Sequence, residues 1–222
     1  MSFINNKKPK FFSAKKLQPI SGSRKYKISL MSKNLKNFLH DKKQFLRKPD
    51  KSMAGGIDKA ILSLVKKINS SKDYFTTSSC AGRIVLMPET GKKQEKVFLF
   101  VSHNPISAEK VLSSLKPVKN IVYLKHEPCI MHVACKSIDK ALQLVSQARN
   151  AGWKKSGIIS IKPGKVMCEL VSTEILAAPI ADKGNIIIDN NYLKILLKEC
   201  NNKLALTRQK IKQLNNEFRK QS

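Results

Sequence analysis

The chain has 222 residues, 41% of them hydrophobic and 26% charged, enough to bury a core without staples, so wholesale disorder is excluded. Forty-three Lys and Arg stand against 15 Asp and Glu, a net charge of +28, and such an excess points to a polyanionic counter-surface. Nucleic acid and an anionic membrane surface are the two classes to weigh. No run approaches the ~18 apolar residues of a membrane span, and the five cysteines contain no C-x-x-C pair. They read as reduced thiols in a cytoplasmic protein.

The charge is uneven, for residues 1–48 hold 14 of the Lys and Arg but a single acid, Asp41. Without sustained apolar periodicity, this stretch reads as a basic, largely disordered arm with a short helix near Ser32 to Phe45. Its Ser-rich composition also fits an organelle transit peptide; the plainer reading is a solvated tail that binds RNA loosely. Residues 49–222 are expected to form one α+β domain.

Ile57, Ile61, Leu64, Val65 and Ile68 recur at helical spacing. Tyr74 to Thr77, Arg83 to Met87 and Val97 to Val101 follow as strands expected in one sheet, with a polar turn over Pro88 to Lys96. Ser107 can cap a helix through Leu115. Strands are expected at Asn120 to Lys125 and Ile130 to Cys135, then a helix carrying Ile138, Ala141, Leu142, Val145 and Ala148. Lys162-Pro163-Gly164 turns Gly157 to Ile161 back into Lys165 to Val171, and a short strand lies near Ile175 to Ile180. From about residue 190, Leu193, Cys200, Leu204, Ile211, Leu214 and Phe218 mark a long helix, which packs on the body or forms a coiled coil. The sum is α+β, a layered mixed sheet with flanking helices.

No G-x-G, Walker or H-E-x-x-H motif occurs, and no Cys/His spacing resembles a metal site. A Rossmann cofactor site is therefore not expected. The run Thr77-Ser78-Ser79-Cys80-Ala81-Gly82-Arg83 gathers hydroxyls, a thiol, a free turn and a guanidinium where one strand hands over to another. Arg83 either grips an anion bidentately or pairs with a surface acid. Cys80 is either an activated thiol or a small packing group. His103 follows an apolar run, at the kind of strand end where ligands sit in open sheets. His132 lies on the parity of Ile130 and Ala134, as a proton-transfer group or a satisfied sheet histidine. Glu127 can orient a histidine or stand as a strand-end acid, and Trp153 can stack a base or cap the sheet.

Taken together, these stretches resemble the tRNA wybutosine-synthesising protein 3 family. Asp50-Lys51-Ser52 with Gly55 and Ile57-Asp58 is similar to its D-x-S-x-x-G-x-[IV]-D, and Ser78-Ser79-Cys80-Ala81-Gly82-Arg83 to its S-S-C-x-G-R core. Ser102-His103, the run Lys125 to Val133, and Gly152-Trp153 to Ile158 match further motifs in order. Phe98, Ala81, Met131 and Val171 depart from the usual Trp, Ser, Leu and Arg. The resemblance spans residues 50–181. It implies a methyltransferase without the usual fold, taking its methyl from S-adenosylmethionine and placing it on a ring nitrogen of 4-demethylwyosine beside the anticodon of tRNA(Phe). It implies Ser78, Ser79, Cys80, Arg83, Ser156 and Gly157 at the cofactor. His103 is then the first candidate base, His132 the second, and Glu127 an orienting carboxylate, with no metal. A non-enzymatic basic RNA-binding protein is the alternative.

Overall fold

Apolar alternation and helical periodicity resolve into five helices and nine strands among the described residues of the computed structural model. These residues are 24–47, with side chains from 35 onward, 57–89, 98–115 and 118–218. The order is α1 (Arg24–Arg47), α2 (Lys59–Ser70), β1 (Tyr74–Cys80), β2 (Arg83–Pro88), β3 (Phe100–Ser102), α3 (Ala108–Ser114), β4 (Val122–Glu127), β5 (Ile130–Cys135), α4 (Ile138–Asn150), β6 (Gly157–Lys162), β7 (Lys165–Val171), β8 (Leu176–Asp182), β9 (Asn185–Ile186) and α5 (Asn190–Glu217). Asp50 to Gly55 and most of the turn after Pro88 lie outside the described residues.

The α+β class and the long last helix agree with the sequence reading, but the strands form two antiparallel sheets rather than one mixed sheet. One runs β1-β5-β7-β6 and the other β3-β2-β4-β8-β9. β1 and β2 therefore part company. The reason is local: Gly82 holds φ +82°, a conformation that costs glycine little and other residues much. There the chain leaves the first sheet and enters the second. Of the strand expected from Val97 to Val101, the described residues, from Phe98 on, form the three-residue edge strand β3, in which Val101 is exposed.

Ser107 and Ser137 cap α3 and α4 by accepting amide hydrogen bonds from Lys110 and Lys140. Asp189 does the same for α5 through the Tyr192 amide, at 2.8 Å. The first core sits between one face of the first sheet (Met131, Val133, Cys168, Leu170) and α2 and α4, with Trp153 fully buried. A second core lies on the other sheet around Ile84, Leu86, Leu124 and Ile180. α5 serves both: Leu193, Leu196, Leu197, Cys200 and Leu204 join the second core, and Ile211 and Leu214 the first. Its heptad rhythm is thus a packing stripe on its own chain rather than a coiled-coil seam.

The short helix expected near Ser32 to Phe45 is the 24-residue α1. Phe38 is buried beside Phe75 and Ala134 on the opposite face of the first sheet, with ring centroids of Phe38 and Phe75 5.3 Å apart. An ion pair of 2.7 Å from Asp41 to Lys165 ties it to the β6–β7 hairpin. This part of the arm is an element of the fold, since a buried phenylalanine holds it down; residues 1–23 lie outside the described residues.

Candidate active site at the sheet crossover

The junction between the sheets needs room for two chains to pass. A Cβ on Gly82 would lie 3.1 Å from the Glu127 carbonyl oxygen and 3.2 Å from the Cys129 amide nitrogen. It would also stand 3.1 Å from Thr207 Cγ2 on α5. Ala81, beside it, is fully buried.

Around this crossover four separated stretches meet. Asp58 Oδ2 accepts the Ala81 amide at 2.8 Å and stands 3.4 Å from His103 Nδ1. His103 Nδ1 donates to the Gly82 carbonyl at 3.2 Å, which leaves Nε2 with its lone pair when the ring is neutral. Arg208 of α5 donates to the carbonyls of Ala81 and, at 2.8 Å, His103. Burial there lowers the Arg208 pKa from its ordinary value, partly offset by Cys129, Asp58 and Cys80. The same burial pushes the Cys80 thiol up, with the Gly82 amide and Arg83 opposing. Cys80 is accordingly a neutral packing group rather than an activated nucleophile. Donor atoms of Asp58, Cys80 and His103 all fall within 4.8 Å of one another, a grouping that sequence spacing did not foreshadow; the guanidinium of Arg208 supplies the neighbouring positive charge.

On the second sheet, Arg83 opposes Glu127 across β2 and β4, and its Nε donates to Glu127 Oε2 at 2.7 Å. Arg83 also lies over the Phe98 ring, 4.7 Å from its centroid. Both partners keep a quarter to a third of their side chains exposed, 25% and 30%. Glu127, expected as a carboxylate that orients a histidine, instead pairs with Arg83, and it lies on a different sheet from His132.

His132 has its own partners. The register of β1 and β5 shifts between Thr76 and Ser78, which sets Ser78 opposite His132. Ser78 Oγ lies 2.7 Å from Nδ1, and Nε2 lies 3.0 Å from Glu169 Oε2 on β7. Both ring nitrogens are engaged. Glu169 was not singled out from the sequence, since only strand register reveals that it faces His132. Asp58 and Arg208 were likewise missed as site residues: the first sat unused in its motif, the second lay in a helix with no motif.

Of the two residues expected at the cofactor from the later motif, Ser156 points elsewhere and Gly157 stays open beside Glu169. Ser156 is 1% exposed; its hydroxyl donates to the Trp153 carbonyl at 2.7 Å and accepts the Val171 amide at 3.1 Å. Its polar capacity is spent inside the fold, so it corrects the expectation of a cofactor contact. Gly157 pairs with Glu169 across β6 and β7 and has open space where a Cβ would stand. Trp153 is buried and donates to the Lys210 carbonyl at 3.2 Å, so it stacks on no base. Behind the site, His126 is 1% exposed, donates through Nδ1 to the Glu174 carbonyl at 2.8 Å, and has no hydrogen-bond partner at Nε2 among the described residues.

Comparison with known proteins accords with this arrangement. The family described as Methyltransferase TYW3 matches residues 35–220, farther in both directions than the motif resemblance reached. The chain is 36% identical over 179 residues to the tRNA wybutosine-synthesizing protein 3 homolog of Xenopus laevis, covering 78% of this chain and 71% of that protein. It is 36% identical over 178 residues to the tRNA(Phe) 7-((3-amino-3-carboxypropyl)-4-demethylwyosine(37)-N(4))-methyltransferase of Methanocaldococcus jannaschii, covering 78% and 92% of the two. Among solved structures, the PH1069 protein from Pyrococcus horikoshii superposes with a TM-score of 0.73 at 30% identity, covering 86% of this chain and 95% of that one. These matches favour an enzyme over a non-enzymatic RNA-binding protein, and no helix among the described residues is long and apolar enough to cross a membrane. The chain belongs to the TYW3 methyltransferase family.

Proposed function

We propose that this methyltransferase acts in wybutosine biosynthesis, moving a methyl group from S-adenosylmethionine to a ring nitrogen of a 4-demethylwyosine-type guanosine beside the anticodon of tRNA(Phe). The observation that carries the reading is the convergence of the Cys80–Arg83 run with His103 and Glu127, distant from it in sequence, around one glycine crossover. The printed activity of the Methanocaldococcus relative supports the substrate.

The residues fit the cofactor at its amino-acid end. A partly exposed guanidinium and carboxylate, Arg83 and Glu127, complement a zwitterion, the first gripping a carboxylate and the second an ammonium. Ser78 and Ser79 lie near the same end of β1; the Ser78 hydroxyl, bonded to His132 Nδ1, keeps a lone pair to accept with. When bound, the cofactor supplies an electrophilic sulfonium methyl. His103, with Nδ1 committed to Gly82 and no partner for Nε2 among the described residues, is our candidate to take the ring-nitrogen proton. His132, held at both nitrogens by Ser78 and Glu169, orients rather than accepts. Residues 49–222 then act as the catalytic unit. The docked helix α1 adds a basic face for RNA, in a cytoplasm where Cys135 and Cys168 stay thiols with sulfurs 3.7 Å apart.

The test is methyl transfer from labelled S-adenosylmethionine to tRNA carrying 4-demethylwyosine, beside the same tRNA with unmodified guanosine. Label is expected on the modified tRNA alone, and Arg83→Ala should raise the KM for the cofactor by tenfold or more on the order of a lost charge-assisted bond. Label on neither tRNA, with the protein folded, would overturn the assignment.

A further inference from the structure

Arg208 lies on the turn of α5 between the two cores: Leu204 before it packs on the second sheet and Ile211 after it on the first. Its guanidinium spans the crossover. One arm donates to the Ala81 carbonyl and the other to the His103 carbonyl, segments separated by more than twenty residues of chain. From the opposite side Asp58 accepts the Ala81 amide and sits beside His103 Nδ1. The peptide unit before Gly82 and the backbone of His103 are thus gripped by a planar cation whose two donors have fixed spacing, a task a lysine ammonium cannot duplicate. Thr207, fully buried with its methyl against Gly82, fills the remaining side.

We infer that Arg208 is a positioning residue for the transfer reaction: it docks α5 onto the crossover and, with Asp58, fixes the place and tautomer of His103. The inference rests on the reading of His103 as the proton acceptor. Its physical content is specific. Both carbonyls that Arg208 satisfies belong to the loops that carry His103 and its hydrogen-bond acceptor Gly82, so loss of the fork releases both ends of the His103 Nδ1 bond at once. A base displaced by about 1 Å loses roughly a hundredfold in rate, whereas substrate-binding groups on β2 and β4 stay where their own ladder holds them.

The experiment compares Arg208→Met, Arg208→Lys and Asp58→Asn with the unaltered full-length enzyme, and with Ile211→Val as a helix-core control. Readouts are kcat and KM, thermal unfolding, and long-range nitrogen–proton spectra of histidine-labelled protein, the His103 signal assigned by His103→Gln. In Arg208→Met kcat is expected to fall about a hundredfold with both KM values within about twofold. Arg208→Lys should recover only part of this, and the His103 ring should pass from a single Nδ1-protonated form to an average of two. Ile211→Val should lower stability and leave kcat and the ring signal alone. An unchanged ring signal and kcat in Arg208→Met would overturn the inference, as would a kcat loss that tracks stability along the same line as Ile211→Val. Should Arg208→Met not fold, Arg208→Lys and Asp58→Asn decide the matter by the same two readouts. Because the ring signal is read without substrate, a failure of the clamp and a failure of the proposed methyl transfer are told apart.

Discussion

Gly82 shows how one residue sets the site. Its φ of +82° and the backbone oxygen of Glu127 3.1 Å from any Cβ leave no easy adjustment. Gly82→Ala should therefore cost about 1–3 kcal/mol of stability, read from denaturant midpoints, and lower activity with it as the residue-82 carbonyl that His103 bonds is displaced. A variant within about 0.5 kcal/mol of the parent would mean that the crossover yields freely. His126 makes a second prediction at this scale. Burial lowers its pKa from 6.5, opposed by the Glu174 carbonyl and carboxylate and reinforced by Lys203 and Arg208. Above 6.5 both folded and unfolded chains carry it neutral, so it contributes no pH dependence; below, the unfolded chain takes up the proton first. Stability should thus fall with decreasing pH from about 6.5 down to the lowered folded value and then level off. His126→Asn keeps a donor for the Glu174 carbonyl and should flatten that slope in pH-resolved thermal unfolding; an unchanged slope would point to other groups.

At the level of elements, α1 is the least firmly held. Phe38 is the single buried side chain described on it, aided by Phe45, whose ring lies 5.8 Å from that of Phe75, and by the exposed Asp41–Lys165 pair, which by itself is worth little. Phe38→Ala should remove about 2–4 kcal/mol of local docking energy. Trypsin should then cut at Lys42 and Lys43 well before the body unfolds, while the main thermal transition hardly moves. Simultaneous loss of both would show that α1 unfolds only with the core. β strands and caps of the body were readable in advance: β5 and β7 fall at the expected bounds, and Ser107 and Asp189 cap as their residue types suggest. The α1 helix was underestimated because its composition is dominated by Lys and its one anchoring phenylalanine has no partner within the same stretch of sequence. β3 was overestimated, since an apolar run does not say whether a neighbouring strand exists on both sides.

Over the whole molecule, charge governs encounter with RNA. Exposed Lys36, Lys43 and Arg47 on α1 are candidates for phosphate contacts, and replacing all three by Ala should reduce the slope of log affinity against log salt by about two to three. The rate at saturating tRNA should stay the same. An unaltered slope would place the RNA on another face. The sequence by itself determined the class of the fold, the basic character, the family resemblance and most element positions, because these depend on composition, periodicity and short-range turn chemistry. It also singled out Cys80, Arg83 and His103, which the structure brings to the one crossover. Only the tertiary structure decided that the strands divide into two sheets at Gly82, that Glu127 serves Arg83 while Glu169 serves His132, that Ser156 is spent on the backbone, and that Arg208 reaches the site at all. Each of those depends on which strands pair and where α5 crosses, contacts between residues tens of positions apart whose formation is a balance over the whole chain and leaves no mark in any local run of residues.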